Sequence, residues 1–330
     1  MNMTKNIAIL VIAVLALISC QKAIEVDLPE VDQDYVVEGR IELGTPPIVI
    51  LSETQGYFDE ASVESVFGTF VHGATINMST SNGDTFPLTE ICSSSIPDSL
   101  LDDVSALTGI PAGSLGAFDY CVYTSFDPDA LGEENVYYHL DIDIDGQQLK
   151  SSTKIPWAVP LDSTWFEVEG DLDSLGFVWA YLTDPDTVGN YYRWYAQRIN
   201  VYDYSYPDYE PDVYGQMKDP FPIAPFGSIV DDKFFNGLTF DFAYSRGEIG
   251  NLEGPDDEGP EEGYFKSGDT VVIKFCSTTR ENFLYIRALE NQAATAGSPF
   301  ASPGNLPFNI EGGIGIWAGY APAYDTLICE

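Results

Sequence analysis

The chain has 330 residues, with 52 acids against 14 Lys and Arg and a formal charge of −38. Hydrophobic residues still make up 45% and aromatic ones 13%, which excludes an acidic disordered chain and predicts a folded protein under an acid surface. The charge excludes nucleic acid as a partner, because phosphate binding needs clustered Lys and Arg, and two His residues leave almost no histidine chemistry. The length predicts two domains, at roughly 150 residues each.

Lys5 is followed by twelve apolar residues, Ile7 to Ile18, a secretory signal too short to cross a bilayer as a helix. The run ends Leu17-Ile18-Ser19-Cys20, a lipobox with Leu at −3, a small residue at −1 and Cys at +1. The simpler alternative is an ordinary signal peptide with a chance cysteine. The placement favours cleavage after residue 19 and acylation of Cys20, whose lipid chains anchor the mature protein to a membrane. Residues 20–34, with Glu25, Asp27, Glu30, Asp32 and Asp34, read as an acidic tether.

Beyond the tether, period-two patterns predict half-buried antiparallel strands. Val37, Gly39, Ile41 and Leu43 alternate with Val36, Glu38, Arg40 and Glu42. Ile76 and Met78 repeat the pattern, as do Tyr138, Leu140, Ile142 and Ile144. Turns at Asn82-Gly83-Asp84 and Asp145-Gly146 separate these runs. Seven short strands fit between Tyr35 and Ile155, as in an immunoglobulin-like sandwich, and Pro156 to Pro160 reads as a linker. Four aromatic or apolar strand faces follow: Phe177, Trp179 and Tyr181; Tyr192 and Trp194; Phe240, Phe242 and Tyr244; Val271, Ile273 and Phe275. They predict the core of a second sandwich. One helix is expected from Arg280 to Ala293, opened by a capping box of Thr278 and Glu281, with Phe283, Ile286 and Leu289 as its apolar stripe. The expected fold is therefore mainly β, with two immunoglobulin/fibronectin-like sandwiches over residues 35–156 and 157–330 and one short helix in the second. Between Asn309 and Gly319, four glycines among Ile310, Ile314, Ile316 and Trp317 predict a closing strand that passes tightly against another.

Four cysteines remain after Cys20. An even number in an exported chain predicts two disulfides, and the pairs within one domain each are Cys92–Cys121 and Cys276–Cys329. No C-x-x-C or Cys/His spacing supports a metal site, and none is expected. Asp141-Ile-Asp143-Ile-Asp145-Gly146 imitates an EF-hand opening, but the twelfth position is Ser152 and the alternation reads as a strand entering a hairpin. No G-x-S-x-G, H-E-x-x-H or P-loop occurs, so no catalytic residue is assigned and no cofactor is expected.

Two long polar insertions interrupt the second half, Asp203 to Pro225 and Gly250 to Gly263. In the first, Tyr204, Tyr206, Tyr209 and Tyr214 crowd beside Asp208 and Asp212, offering flat aromatic area and hydrogen-bond acceptors for a ligand. The same residues also suit a loop packed by its own aromatics. Charge is uneven as well: from Ile24 to Leu149 there are 24 acids and one base, Arg40. That asymmetry reads as a solvated surface or as a face for a basic partner.

The stretches Tyr35–Ile41, Ile50–Thr54 with Tyr57 and Phe58, Val71–Ile76, Lys154–Pro156, Phe283–Leu289 and Phe308–Trp317 with Gly319 and Tyr320 carry a resemblance. In this order they resemble a Bacteroidota lipoprotein family labelled domain of unknown function 4249. The resemblance implies an outer-membrane lipoprotein encoded beside TonB-dependent receptors, and it supplies no catalytic residues. The function expected from it is a non-enzymatic accessory subunit that captures or gates a ligand for such a receptor. A surface adhesin or glycan-binding lipoprotein is the alternative.

Replacing Cys20 by Ala is expected to release the protein from membranes and block lipoprotein-type processing. Fractionation with metabolic acyl labelling measures both, and a labelled, membrane-retained Cys20→Ala chain contradicts the assignment.

Overall fold

The computed structural model describes residues 34–56, 68–108, 112–117, 120–170, 172–202, 215–247, 263–295 and 305–330. Cys20, the tether, residues 203–214 with the candidate tyrosines and aspartates, and most of the acidic 250–263 insertion lie outside the described residues. The described chain is mainly β, and Gln33–Glu330 forms one compact unit.

Among the described residues, seven strands precede the expected linker: β1 (Tyr35–Glu42), β2 (Ile48–Glu53), β3 (Thr75–Thr80), β4 (Thr85–Cys92), β5 (Cys121–Thr124), β6 (Tyr137–Ile144) and β7 (Gln147–Lys154). Nine follow it: β8 (Ser163–Val168), β9 (Leu175–Thr183), β10 (Tyr191–Arg198), β11 (Ile229–Asp231), β12 (Thr239–Tyr244), β13 (Phe265–Lys266), β14 (Thr270–Thr278), β15 (Ile310–Glu311) and β16 (Ile314–Ile328). Twelve of them form one curled sheet in the order β11-β10-β14-β16-β1-β2-β5-β4-β3-β6-β7-β15, and β8, β9, β12 and β13 form a second, smaller sheet. The alternating faces read from the sequence are the buried ones in β1, β3 and β6. Asp145 and Gly146 close the β6–β7 hairpin with φ of 52° and 87°, the left-handed pair a two-residue turn requires.

β16 belongs to both halves of the chain. Its first residues run parallel to β1, with Val36 opposite Ile314 and Glu42 opposite Tyr320. Its later residues run antiparallel to β14, with Thr278 opposite Tyr320 and Thr270 opposite Ile328. Glycines permit close approach of β16 to β1 and to the end of β7. A Cβ on Gly315, at φ 110°, would lie 2.0 Å from the Val37 carbonyl oxygen, and one on Gly319 would lie 2.1 Å from that of Lys154. Pro322 falls past the last residue paired with β1, where β16 has lost one neighbour and a proline is tolerated. Between these points Trp317 is fully buried and donates its indole N–H to the Tyr138 carbonyl at 3.1 Å. Asn309 accepts from the Trp317 N–H and donates to its carbonyl, at 2.9 and 2.8 Å.

Three apolar clusters result. One fills the curl of the first seven strands, with Val37, Met78, Leu140 and Trp317. Another lies between the small sheet and β10/β14, with Val178, Trp194, Ile273 and Phe275. The third, with Cys276, Tyr285, Ile316 and Tyr320, lies under the helix Arg280–Thr295.

Four expectations need correction. First, β9 is turned over: Val178, Ala180 and Leu182 are buried, whereas Phe177, Trp179 and Tyr181 face away from that core. Both faces of β9 are apolar, so alternation could not choose between them. Second, the helix cap is one residue later. Thr279 Oγ1 accepts from the Asn282 N–H at 3.4 Å, while the Thr278 hydroxyl donates to the Gly319 carbonyl at 2.9 Å. Third, the segment between Cys92 and Cys121 carries two short helices, Leu101–Thr108 and Ala112–Ala117, whereas the one expected helix lies in the second half of the chain. Fourth, Cys276 and Cys329 are free, buried thiols and form no disulfide. Cys276 stands opposite Pro322, seven residues from Cys329 along β16, which is about 23 Å of strand.

The other pair is bonded. Cys92 and Cys121 are directly opposed across β4 and β5, with Cα atoms 4.0 Å apart. Cys92→Ser with Cys121→Ser is expected to lower stability by about 3–4 kcal/mol through the loop released, measurable by urea unfolding. Alkylation of the native protein should leave Cys276 and Cys329 unlabelled, and peptide mapping should recover Cys92–Cys121 as the only bridge among these four cysteines.

Candidate functional site

Side chains on one face of the shared sheet come from both halves of the chain. In β1, Glu38, Arg40 and Glu42 alternate onto this face, because Val37, Gly39 and Ile41 are committed to the opposite core. In β14, Lys274 and Cys276 point here for the same reason, since Val271, Ile273 and Phe275 fill the second cluster. Tyr195 is opposite Lys274 on β10, and Tyr324 is opposite Lys274 on β16. Register alone thus brings Tyr195, Lys274, Tyr324, Tyr320, Glu42 and Arg40 around one cavity of about 210 Å³.

Glu42 is the hub of its charges. Lys274 Nζ lies 2.5 Å from Glu42 Oε2, with both side chains 13% exposed, and Arg40 Nε lies 3.6 Å from Glu42 Oε1. Burial alone would lower the Lys274 pKa, but the Glu42 carboxylate reverses this and holds it above the ordinary value. Tyr195 lies between two cations, with Arg193 Cζ 5.2 Å and Lys274 Nζ 5.4 Å from its ring centroid. Burial pushes the Tyr195 phenol well above its ordinary value against the pull of Arg193. Burial also pushes Cys276 up to about 12, which outweighs the opposing pull of Lys274 and leaves a protonated, unreactive thiol at neutral pH.

A second hollow of about 320 Å³ adjoins the first and shares Arg40, Ile48 and Tyr320 with it. Its remaining wall is mostly apolar, with Ile50, Ile286, Leu289 and Ile316. Glu38 also lines it, and burial raises its carboxyl pKa.

The candidate recognition segment is described only at its stem. The Tyr202 N–H donates to the Gln216 carbonyl at 2.9 Å and the Gly215 N–H to the Tyr202 carbonyl at 2.7 Å. Two buried ion pairs hold this stem, Arg198–Asp219 at 2.8 Å and Lys218–Asp269 at 2.9 Å. The cysteines fall apart as sites. Cys92 and Cys121 lie in a group with His72 and Glu90, but their sulfurs are bonded to each other and offer no thiolates. His72 Nδ1 lies 2.7 Å from Glu90 Oε1. The aspartates of the EF-hand-like run are engaged locally: Asp141 pairs with Lys150 at 3.0 Å, and Asp143 accepts from the Gly146 N–H and from Gln148.

The cavity residues were missed in sequence because each sits in a strand that reads as ordinary. Two signals were available. Arg40 is the single base between Ile24 and Leu149, and Lys274 and Arg193 interrupt otherwise apolar or aromatic strands.

The chain belongs to the family described as a domain of unknown function (DUF4249), whose model matches residues 21–325. No curated protein and no solved structure matches it significantly.

Glu42→Gln leaves the Lys274 ammonium buried without its counterion and is expected to cost about 3 kcal/mol of stability. Because the folded Lys274 value is raised, the stabilisation is complete below the ordinary 10.5 and fades as pH rises through the folded value. Urea unfolding of both chains at pH 7 and at pH 11.5 measures this; the gap should narrow at the higher pH.

Proposed function

We propose that this chain is a non-enzymatic, lipid-anchored outer-membrane lipoprotein that captures a ligand and serves as accessory subunit of a TonB-dependent receptor. The observation that carries the capture role is the cavity around Arg40, Glu42 and Lys274, built jointly by the two halves of the chain. Its groups suit holding more than reacting: the carboxylate and the ammonium neutralise each other, and the neighbouring thiol is protonated. The lipobox at Cys20 supports the anchor. The stretch Ile24–Leu149, with 24 acids and the single base Arg40, supplies an acidic surface for a basic receptor rim. We also read the chain as two sandwich-like lobes divided near Pro156–Pro160, since one apolar cluster draws mainly on residues before that segment and another on residues after it.

A surface glycan-binding role is the second reading, and one observation favours it. On the outer face of the small sheet, Trp165 stacks on Trp179 at 6.0 Å and meets Tyr181 at 5.0 Å. Asp241 stands opposite the 43%-exposed Tyr181. Aromatic faces flanked by carboxylate acceptors suit sugars.

The anchored protein, solubilised from native membranes at low salt, is expected to co-purify with a TonB-dependent barrel and to lose it at about 0.5 M salt, where screening is strong. Recovery without any barrel at low salt transfers the case to the glycan-binding reading, which Trp165→Ala and Tyr181→Ala would then test on polysaccharide arrays.

A further inference from the structure

We propose that His72, Glu90, Cys92 and Cys121 form a zinc site that the Cys92–Cys121 disulfide masks and its reduction uncovers. The site is independent of the Arg40 cavity and of the accessory role.

The first support is convergence. One donor atom from each of these four residues lies within 4.8 Å of the other three. The donors come from three segments: His72 from the loop before β3, Glu90 and Cys92 from one face of β4, and Cys121 from the start of β5 directly opposite Cys92. In a tetrahedral zinc centre, bonds of about 2.0–2.3 Å put neighbouring ligand atoms about 3.3–3.8 Å apart. Cys92 Sγ already lies 3.9 Å from Glu90 Oε1, and His72 Nδ1 lies 2.7 Å from the same oxygen. Directly opposed side chains in an antiparallel pair stand about 4.5–5.5 Å apart at Cβ. The two thiols, once released, relax toward that spacing with no change in strand register.

The second support is that contacts other than the disulfide aim the donors. The Gly73 N–H donates to Glu90 Oε2 at 2.9 Å, which turns Oε1 toward the sulfurs. The Tyr123 hydroxyl donates to the Val71 carbonyl and accepts from the Ala74 N–H, both at 3.2 Å, so the loop is fixed on either side of His72. The Val71 N–H donates to the Leu51 carbonyl at 2.9 Å and ties the same loop to β2. Outer contacts of this kind orient metal ligands. Cys121 is almost fully buried, whereas the His72 side chain is 53% exposed and leaves the ion a way in. An imidazole, a carboxylate and two thiolates suit zinc, while calcium and magnesium take oxygen donors.

A dithiol reductant uncovers the site. One of its thiolates bonds to one cystine sulfur, the S–S bond breaks, and the other cysteine leaves as a thiolate. The reductant's second thiol then closes on its first and releases the remaining cysteine. The reductant gives up two electrons and two protons, and the protein gains two thiols. Zinc takes both sulfurs as thiolates and sends two protons to water. A newly synthesised chain holds both cysteines reduced, so oxidation and zinc compete for the same pair. Disulfide and metal therefore exclude each other, and either one clamps β4 to β5.

The test uses the full chain carrying Cys20→Ala, reduced by a phosphine, which leaves as its oxide with the oxygen of water and adds no competing thiol. Titrated without air, it is expected to bind one cobalt per chain with a thiolate-to-metal charge-transfer band, and one zinc should displace it. The oxidised chain should show no such band and bind zinc about a hundredfold or more weakly. His72→Ala, at an exposed position that keeps the fold, should retain the band and lose about tenfold or more in zinc affinity. Cys92→Ser with Cys121→Ser should lose the band. Bound zinc should slow reoxidation by a small disulfide about tenfold or more. The proposal is overturned by a reduced chain that binds zinc no more tightly than the oxidised one, by an unchanged band in the double serine chain, or by an unchanged zinc affinity in His72→Ala. If reduction unfolds the chain, one equivalent of zinc is expected to restore its native circular dichroism, and failure to do so overturns the proposal equally.

Discussion

The close passage of β16 between β1 and β14 is the constraint on which the rest of the molecule depends. Fifteen residues of one strand satisfy backbone hydrogen bonds for both halves of the chain. Side chains are excluded where the backbones nearly touch, at Gly315 against Val37 and at Gly319 against Lys154. A larger residue at Gly315 would force β16 away from β1, and one at Gly319 would force it away from the end of β7, in either case disturbing Trp317 in the first core. The parallel pairing needs a partner from far away in sequence, so its loop-closure entropy is offset only when both cores form around it. One compact unit running from Gln33 to Glu330 is the consequence.

The same strand fixes the site. Tyr320 is the residue at which β1, β14 and β16 meet, opposite both Glu42 and Thr278. A slip of one residue in either pairing would turn Arg40 and Glu42, or Lys274 and Tyr324, into an apolar core, which would bury charges without partners. Register is therefore enforced by the charges as well as by the apolar faces. The stem of the Tyr/Asp segment is held in a related way, because Arg198–Asp219 and Lys218–Asp269 are almost fully buried and removing one partner would strand the other.

Legibility in the sequence followed the contrast between faces. β1, β3 and β6 alternate polar with apolar residues, and their buried sides were readable from period alone. β9 has Val178, Ala180 and Leu182 on one side and Phe177, Trp179 and Tyr181 on the other, so its orientation depends on which set fits against Trp194 and Tyr192, a tertiary matter. The cysteines divide likewise. Cys92 and Cys121 become neighbours because β4 and β5 pair antiparallel, whereas Cys276 lies opposite Pro322 within the β14–β16 ladder and Cys329 just past its end. The Gly-rich tail announced a close approach, but not that its neighbour is β1. The cavity was illegible for this same reason: residues 40, 195, 274 and 320 meet only through a sheet order that sequence spacing does not contain.

The placement of the site on the seam has an energetic consequence. Arg40 belongs to the first half of the chain and Lys274 to the second, and both already share Glu42. A ligand that binds the folded arrangement and not the separated strands stabilises the seam in proportion to the logarithm of its concentration over its dissociation constant. Most of that effect would fall on the contact between β1 and β16, the one parallel pairing among the described strands. Whatever tightens β1 against β16 thus acts on the strand whose Arg40 and Glu42 line the cavity, so occupancy of the site and pairing of the two halves of the described chain are one equilibrium.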